Sequence, residues 1–132
     1  MSETTRQEKR ILVVDDTGIV RTVHRKLLTD IGYAVDEACD GKEALALLEK
    51  EKYEAVFMDI NMPNMDGLTA ASEIRRREEN TRHIPIIGIT GYENEEKACL
   101  DAGMDAVLLK PVTPAQMYSL VEEWINNNHS HS

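Results

Sequence analysis

The stretch Ala55-Val56-Phe57-Met58-Asp59 is the most informative part of this chain, because an apolar run ends there in a carboxylate. Such a run predicts a buried strand. The aspartate that follows it is expected at the edge of a sheet. In open α/β sheets, ligands bind outside the carboxyl ends of the strands. Asp59 is therefore the first candidate for a functional residue.

Three further apolar runs also end in polar side chains. They are residues 11–14 before Asp15 and Asp16, residues 84–89 before Thr90, and residues 106–109 before Lys110. If these strands are parallel, their carboxyl ends meet at one edge of the sheet. The sequence therefore predicts a single site that combines three carboxylates, a hydroxyl and an amine, a set suited to a divalent cation and a phosphoryl group.

Helical apolar stripes alternate with the strands. A first helix is predicted from near Thr17 to Gly32, with an apolar stripe of Val20, Val23, Leu27 and Ile31. A weaker strand is predicted at 33–38, and later helices follow each of the remaining strands. Five βα units predict parallel pairing with right-handed crossovers, and hence a three-layer α/β/α sandwich.

Two sets of charged side chains on these helices are expected to be solvated. His24 is predicted on an exposed flank of the first helix. The basic run Arg75-Arg76-Arg77 is predicted at an exposed helix end, because Glu78 and Glu79 follow it directly.

The bulk properties indicate one globular domain. The chain has 132 residues, 42% of them hydrophobic, and a net charge of -9, which argues against nonspecific nucleic-acid binding. It contains no apolar stretch of ~20 residues, so we expect no membrane span. Residues 1–9 are polar, without a signal peptide, which predicts a flexible tail and a cytoplasmic location. The domain is expected to cover 10–126, and 127–132 to form a frayed tail.

The two cysteines, Cys39 and Cys99, are too few for a disulfide framework and lack the spacing of metal ligands. We expect both to be free thiols.

The predicted carboxylate cluster favours a bound metal ion. Two carboxylates about 4 Å apart repel by roughly 4 kcal/mol at an effective dielectric near 20. A cation with oxygen ligands offsets this repulsion, and Mg²⁺ prefers few carboxylates together with water and phosphate oxygens. The expected ligands are Asp15, Asp16 and Asp59, with a backbone carbonyl after Asp59, from Asn61, completing the set.

A phosphoryl-transfer reaction follows from the same residues. Asp59 is expected to attack phosphorus as a nucleophile and form an acyl phosphate. Mg²⁺ and the Lys110 ammonium would neutralise the phosphoryl oxygens. The Thr90 hydroxyl could bind one of those oxygens only after transfer, which suits Thr90 to sense the phosphate.

Four motifs resemble the receiver domain of two-component response regulators, and the resemblance extends over about residues 10–126. They are Val13-Val14-Asp15-Asp16, Met58-Asp59-Ile60-Asn61-Met62-Pro63-Asn64-Met65-Asp66-Gly67, Ile89-Thr90-Gly91 and Leu109-Lys110-Pro111. The loop after Asp59 and the stretch Ala102-Gly103-Met104-Asp105 look most like receivers attached to hybrid histidine kinases.

The resemblance implies a flavodoxin-like sheet of order 2-1-3-4-5 and a cis Lys110-Pro111 bond. It implies Asp59 as phosphoacceptor, with a histidine kinase or a histidine phosphotransfer protein as donor. The chain ends after the fifth helix, so output is expected through a protein partner. The expected partner face combines the fourth helix, the fifth strand and the fifth helix. Its residues include Glu95, Lys97, Val107 and Tyr118.

One position departs from the family pattern. Many receivers carry Tyr or Phe three residues before the lysine, and that ring moves inward with the threonine. Here the residue is Val107, which has no ring and restricted rotamers. We expect the switch to act through the loop after Thr90, including Tyr92, or to be weak. By resemblance, Asn61 and Tyr92 would also control access of water to the acyl phosphate.

Two other functions fit the sequence less well than a receiver does. An aspartyl phosphatase usually carries an Asp-x-Asp pattern on its first strand and a cap domain, and the sequence contains neither. A flavin mononucleotide-binding module of the same topology needs a Ser/Thr/Gly-rich phosphate loop after the first strand. Asp15 and Asp16 would repel that phosphate.

Overall fold

The structure is a computed structural model that describes residues 9–62, 65–78 and 82–126. The tails predicted at 1–9 and 127–132 fall outside the described residues, apart from Lys9, so their flexibility stays a prediction. The first strand begins at Arg10, where the predicted domain begins.

The described chain forms one parallel sheet of five strands, in the order β2-β1-β3-β4-β5. The strand bounds are β1 Arg10–Val14, β2 Ala34–Ala38, β3 Ala55–Asp59, β4 Ile86–Thr90 and β5 Ala106–Leu109. All four strand pairs are parallel. This confirms the predicted fold class and strand order.

Helices connect the strands as predicted. Their bounds are α1 Gly18–Asp30, α2 Gly41–Lys50, α3 Gly67–Glu78, α4 Glu96–Asp101 and α5 Pro114–Val121. A 3-10 turn at Glu93–Glu95 precedes α4, and a π-helical turn at Glu122–Asn126 extends α5. Helix ends follow local chemistry: Thr113 caps α5 in a capping box with Gln116, with proline in the first turn.

The sheet separates two apolar cores, which makes the molecule a three-layer sandwich. On one face, α2, α3 and α4 cover side chains such as Leu12 and Val56. On the other, α1 and α5 cover side chains such as Val13 and Phe57. All five residues of β3 are buried, as continuous apolar character in a doubly covered parallel sheet requires.

The predicted apolar stripe of α1 was only partly right. Leu27 packs against the core and Val20 is half-buried, but the other two positions are exposed. Val23 is 50% exposed and Ile31 is 41% exposed, whereas His24 and Leu28 are buried. Ile31 lies beyond the helix, where Gly32 turns the chain with φ 102. The prediction that His24 is solvated was therefore also wrong, because His24 shares a helix face with Leu28, four residues later.

The basic run at the end of α3 is only partly solvated. Arg75 lies inside an ion-pair network, with its guanidinium 2.8 Å from Asp105 and 2.8 Å from Glu78, and it also donates to the carbonyl of Gly103. Arg76 and Arg77 are exposed, as predicted. Arg75 thus ties the end of α3 to the loop that precedes β5.

Both cysteines are free thiols, with Cys99 buried and Cys39 exposed, as expected. Among the helices of the described ranges, none combines the length and apolar character that a membrane span requires.

Candidate functional site

The topology opens a crevice at the carboxyl ends of β1 and β3. These strands are neighbours, but the chain leaves β1 through α1 on one face of the sheet and leaves β3 through α3 on the other. Crossovers that depart to opposite faces leave a gap between them, and this is where ligands bind in open α/β sheets.

Strand register brings four predicted residues to this edge. Val14 pairs with Met58, which sets Asp15 level with Asp59. Asp59 pairs with Ile89, so Thr90 lies one position further along the next strand. Thr90 in turn pairs with Leu109, directly before Lys110. The four residues therefore lie at the same edge of the sheet, as the sequence predicts.

Three carboxylates form a tight cluster in the crevice. One oxygen each from Asp15, Asp16 and Asp59 lies within 4.8 Å of the others. Asp15 and Asp59 are buried, at 2% and 1% exposure, while Asp16 is exposed. The cluster is therefore open to solvent on the side of Asp16.

Two groups in contact with Asp59 partly offset the effect of burial on the pKa of its carboxyl group. Burial raises the pKa of its carboxyl group, and the neighbouring charge of Asp15 raises it further. The backbone N–H of Asn61 donates to Oδ1 at 3.0 Å, and the Lys110 ammonium lies 3.3 Å from the same oxygen. Both contacts lower the pKa, yet the net direction remains upward.

Asp15 is less well compensated. Its Oδ1 accepts a hydrogen bond from the N–H of Thr17 at 2.8 Å, whereas its buried Oδ2 has no partner among the described residues. Burial raises its pKa, and the charge of Asp16 adds to this effect. A buried carboxylate oxygen without a donor is costly, which favours a cation as its missing partner.

Lys110 reaches the cluster from the end of β5. Its backbone N–H donates to the carbonyl of Thr90 at 2.8 Å, which extends the β4–β5 pairing by one residue. The peptide bond between Lys110 and Pro111 is cis, as the resemblance implied.

The Thr90 hydroxyl is occupied. Thr90 is buried at the end of β4, and its hydroxyl donates to a carboxylate oxygen of Glu95. The same hydroxyl oxygen accepts the backbone N–H of Tyr92 at 3.1 Å. Tyr92 itself is 61% exposed. Sequence analysis assigned Glu95 to a partner face and missed this contact.

Gly67 shapes the loop that follows Asp59. A side chain there would place its Cβ 2.6 Å from both the carbonyl oxygen of Asp59 and the Cα of Ile60. The N–H of Gly67 donates to the carbonyl of Ile60, so the start of α3 packs directly on the end of β3. Only glycine permits this close backbone approach.

His24 also lies near the site, although the sequence predicts it on an exposed flank of α1. It lines a cavity of about 460 Å³ together with Lys110 and Pro111. Its buried Nδ1 has no hydrogen-bond partner in the described part of the chain. Burial lowers its pKa, and the charge of Lys110 lowers it further, so the neutral imidazole is favoured.

The residues at this edge fit a divalent cation with oxygen ligands. The three clustered carboxylates supply anionic oxygens, and one of them, Oδ2 of Asp15, is buried without a partner. Carboxylates, carbonyls and water are the ligands that Mg²⁺ takes in proteins. The backbone carbonyl of Asn61 is adjacent in sequence to this set.

Three of the four residues of the predicted partner face lie on the elements expected for it, and Glu95 lies just before them. Glu95 ends the 3-10 turn before α4, Lys97 is on α4, Val107 is on β5 and Tyr118 is on α5. Lys97 is exposed, while Val107 and Tyr118 are half-buried. Val107 packs against the core formed by α2, α3 and α4.

Comparisons with known proteins agree with this geometry. The family model of the response regulator receiver domain matches residues 11–122. The chain is 40% identical over 123 residues to the CAI-1 autoinducer sensor kinase/phosphatase CqsS of Vibrio cholerae, covering 92% of this chain and 18% of that protein. It is 42% identical over 105 residues to the sensor histidine kinase RcsC of Escherichia coli, covering 78% and 11%. The chain thus spans less than a fifth of either relative.

A similar solved structure is the receiver domain of a sensor histidine kinase from Pseudomonas aeruginosa, with a magnesium ion coordinated in its active-site cleft. It superposes with a TM-score of 0.81 at 36% identity, covering 89% of this chain and 98% of that one. Since the family match spans most of the sequence and the fold agrees with it, this chain belongs to the response regulator receiver domain family.

Proposed function

We propose that this domain accepts a phosphoryl group on Asp59 in a reaction that depends on Mg²⁺. The observation that carries the proposal is the cluster of Asp15, Asp16 and Asp59 within 4.8 Å, with the Lys110 ammonium 3.3 Å from Asp59. Asp15, Asp16, Asp59 and the carbonyl of Asn61 are the proposed metal ligands. The Pseudomonas aeruginosa receiver, which holds magnesium in its cleft, supports the choice of metal.

The proposed donor is the phosphohistidine of a histidine kinase or of a histidine phosphotransfer protein. The names of the relatives CqsS and RcsC, both sensor kinases, support this class of donor. A carboxylate oxygen of Asp59 forms a bond to phosphorus while the bond from phosphorus to the imidazole nitrogen breaks. The electron pair stays on that nitrogen, which then takes up a proton from solvent.

The residues of this chain position and neutralise the transferred group. The N–H of Asn61 and the ammonium of Lys110 fix Asp59 in its crevice. Lys110 supplies positive charge to the oxygens of the phosphoryl group, and Mg²⁺, when bound, supplies more of it. The Thr90 hydroxyl binds a phosphoryl oxygen after transfer.

The domain acts as a switch that catalyses only its own phosphorylation and dephosphorylation. Phosphorylation shifts a two-state equilibrium and changes the binding of a protein partner. The proposed partner surface lies on α4, β5 and α5. Tyr92, exposed beside Thr90, slows the access of water to the acyl phosphate. The cytoplasmic location stays a prediction.

Incubation with acetyl phosphate and Mg²⁺ tests the proposal. The wild-type chain should gain the mass of one phosphoryl group in an alkali-labile form, and this gain should disappear when the metal is chelated. Asp59→Asn should abolish it, because the amide is not a competent nucleophile. Intact-protein mass spectrometry measures both results.

Asp30→Asn is the matched control, because Asp30 is an exposed acid at the end of α1 that pairs with Lys26. It should be phosphorylated like the wild type. Phosphorylation that persists in Asp59→Asn, or that needs no divalent cation, would contradict the proposal. Multiple turnover of acetyl phosphate without a phosphorylated chain would instead indicate a phosphatase.

A further inference from the structure

We propose that Glu95 is a positioning residue that holds the Thr90 hydroxyl away from the phosphoryl site until Asp59 is phosphorylated. This inference rests on the proposed function and adds the group against which the phosphate competes. It assigns to the side chain of Glu95 a role at the centre of the switch, although Glu95 lies outside the four strand-end motifs.

The contacts of Thr90 carry the inference. Thr90 is only 1% exposed, so bulk water does not compete for the hydroxyl. The hydroxyl donates to Glu95, and its oxygen accepts the N–H of Tyr92. The hydroxyl is thus engaged both as donor and as acceptor, within the segment that immediately follows β4.

A threonine hydroxyl has a single proton to donate. A phosphoryl oxygen on Asp59 is an acceptor and needs that proton for its own hydrogen bond. Thr90 therefore cannot bind Glu95 and the phosphoryl group at once through this proton. Phosphorylation must break the bond to Glu95, and the bond to Glu95 must lower the affinity for a phosphoryl group.

Charge repulsion adds to the competition between Glu95 and the phosphoryl group for the Thr90 hydroxyl. Glu95 and a phosphoryl group are both anionic, so they repel each other when they converge on one hydroxyl. Glu95 is the last residue of the 3-10 turn at Glu93–Glu95, and α4 begins at the next residue. When Glu95 leaves Thr90, the turn and the start of α4 lose this side-chain bond to the end of β4.

This mechanism does not need the aromatic ring that many receivers use. Val107 is half-buried on β5 and packs against the core, so it offers no ring to follow Thr90 inward. The signal instead passes from the hydroxyl to a side chain of the adjoining turn. The loop movement expected from sequence thus acquires a specific cause.

Binding of beryllofluoride, a phosphoryl mimic, to the whole chain in the presence of Mg²⁺ tests the proposal. Glu95→Ala should bind it about tenfold more tightly than the wild type, because no hydrogen bond to a charged group has to be broken. Glu95→Gln retains an acceptor but loses the charge, and it should fall between the two. Backbone amide spectra of Gly91–Glu96 in free Glu95→Ala should be shifted towards the beryllofluoride-bound positions of the wild type.

Glu96→Ala is the matched control for charge. Glu96 is exposed, and no side-chain hydrogen bond or ion pair involves it among the described contacts. It should leave the affinity unchanged. A double-mutant cycle adds a second control: in a Thr90→Val background, Glu95→Ala should have no further effect, because the hydroxyl that couples them is gone.

Three outcomes would overturn the proposal. Equal affinity of the wild type and Glu95→Ala would remove the role of Glu95 and leave the proposed function standing. A tenfold effect that persists in Thr90→Val, or that Glu96→Ala reproduces, would show a general charge effect instead of competition for the hydroxyl. A wild-type chain whose spectrum does not respond to beryllofluoride would overturn the proposed function, and the role of Glu95 with it.

Discussion

At the amino end of the sheet Asp105 and Glu78 are each paired with Arg75, whereas at the carboxyl end Asp15 and Asp59 lie beside one another. Asp105 also accepts the N–H of Ile86 at 2.8 Å, and Glu78 accepts the N–H of Ile84 at 2.7 Å. At the other end, Lys110 pairs with Asp59, and Asp15 forms no ion pair among the described residues.

Side chains of one chemical type therefore serve two purposes in one fold. The amino end joins its carboxylates to a guanidinium and to backbone donors, which stabilises the junction of α3, β4 and β5. The carboxyl end retains uncompensated negative charge. Such crowding costs stability, and it leaves the site ready for a cation and a phosphoryl group.

Removing the guanidinium of Arg75 at the amino end of the sheet is expected to change stability the most. Arg75→Ala should lower the free energy of unfolding by about 3 kcal/mol, because it leaves two poorly exposed carboxylates without their cation. The side chains of Asp105 and Glu78 are only 12% and 15% exposed. Chemical denaturation followed by circular dichroism measures the change.

Arg76→Ala is its control, since the Arg76 side chain is 70% exposed and pairs with Glu73 on the same helix. An exposed pair of this kind contributes about 0.5 kcal/mol. If the two variants are equally stable, the network at the amino end does not support the fold, and the contrast between the two ends fails.

A smaller effect of opposite sign is expected at the other end. Asp59→Asn should raise the free energy of unfolding at pH 7 without metal by about 1 kcal/mol, a part of the repulsion between carboxylates at this separation. The pKa of Asp59 is raised by burial, so its charged form destabilises the fold above that pKa, and acidification relieves the cost. Denaturation of both chains from pH 4 to pH 8 measures it.

Added Mg²⁺ should make the wild type more stable than Asp59→Asn, because it stabilises only a chain that binds it. Asp30→Asn, at the exposed end of α1, should change neither the stability nor its response to Mg²⁺ by more than a few tenths of a kcal/mol. A loss of stability in metal-free Asp59→Asn would show that repulsion between the carboxylates at the carboxyl end does not destabilise the fold.

The smallest effect concerns His24, which lies beside Lys110 at the carboxyl end. Its pKa is lowered by burial and by Lys110, so the unfolded chain takes up a proton first as the pH falls below 6.5. Stability should therefore decrease from pH 7 towards pH 5.5. His24→Leu should remove the part of this decrease that the imidazole contributes.

The difference between the two pH profiles isolates His24 from the carboxylates, which both chains share. Parallel profiles would show that the imidazole does not contribute, and the burial of His24 would then have no energetic consequence below neutral pH.

Most of the fold followed from local signals. Apolar runs such as Ala55–Asp59 and stop signals such as Gly32 gave the elements and their order, because parallel strands must be covered on both faces. Thr113 and Pro114 marked the start of α5 through capping chemistry that acts within one helical turn. These features depend on neighbours in sequence, which the sequence displays directly.

The site was predictable as far as it depends on strand ends. Asp15, Asp59, Thr90 and Lys110 each follow a strand, and parallel register brings them to one edge. Their roles in phosphoryl transfer stay proposals.

The rest depends on side-chain directions that sequence does not display. The orientation of α1 about its axis determines that His24 is buried and Val23 exposed. The bond from Thr90 to Glu95 depends on the tight turn between them, and the pairing of Arg75 with Asp105 joins residues 30 positions apart. No periodicity in the chain signals any of these contacts.

Helix α4 has only six residues, which affects how readily this part of the molecule opens. A helix of six residues is too short to persist alone in water, and buried Cys99 is its principal apolar anchor. The cheapest local opening of the described chain is therefore expected here, while β1 and β3 open only with the whole fold. Amide hydrogens of Glu96–Asp101 should exchange with deuterium well before those of Ala55–Asp59.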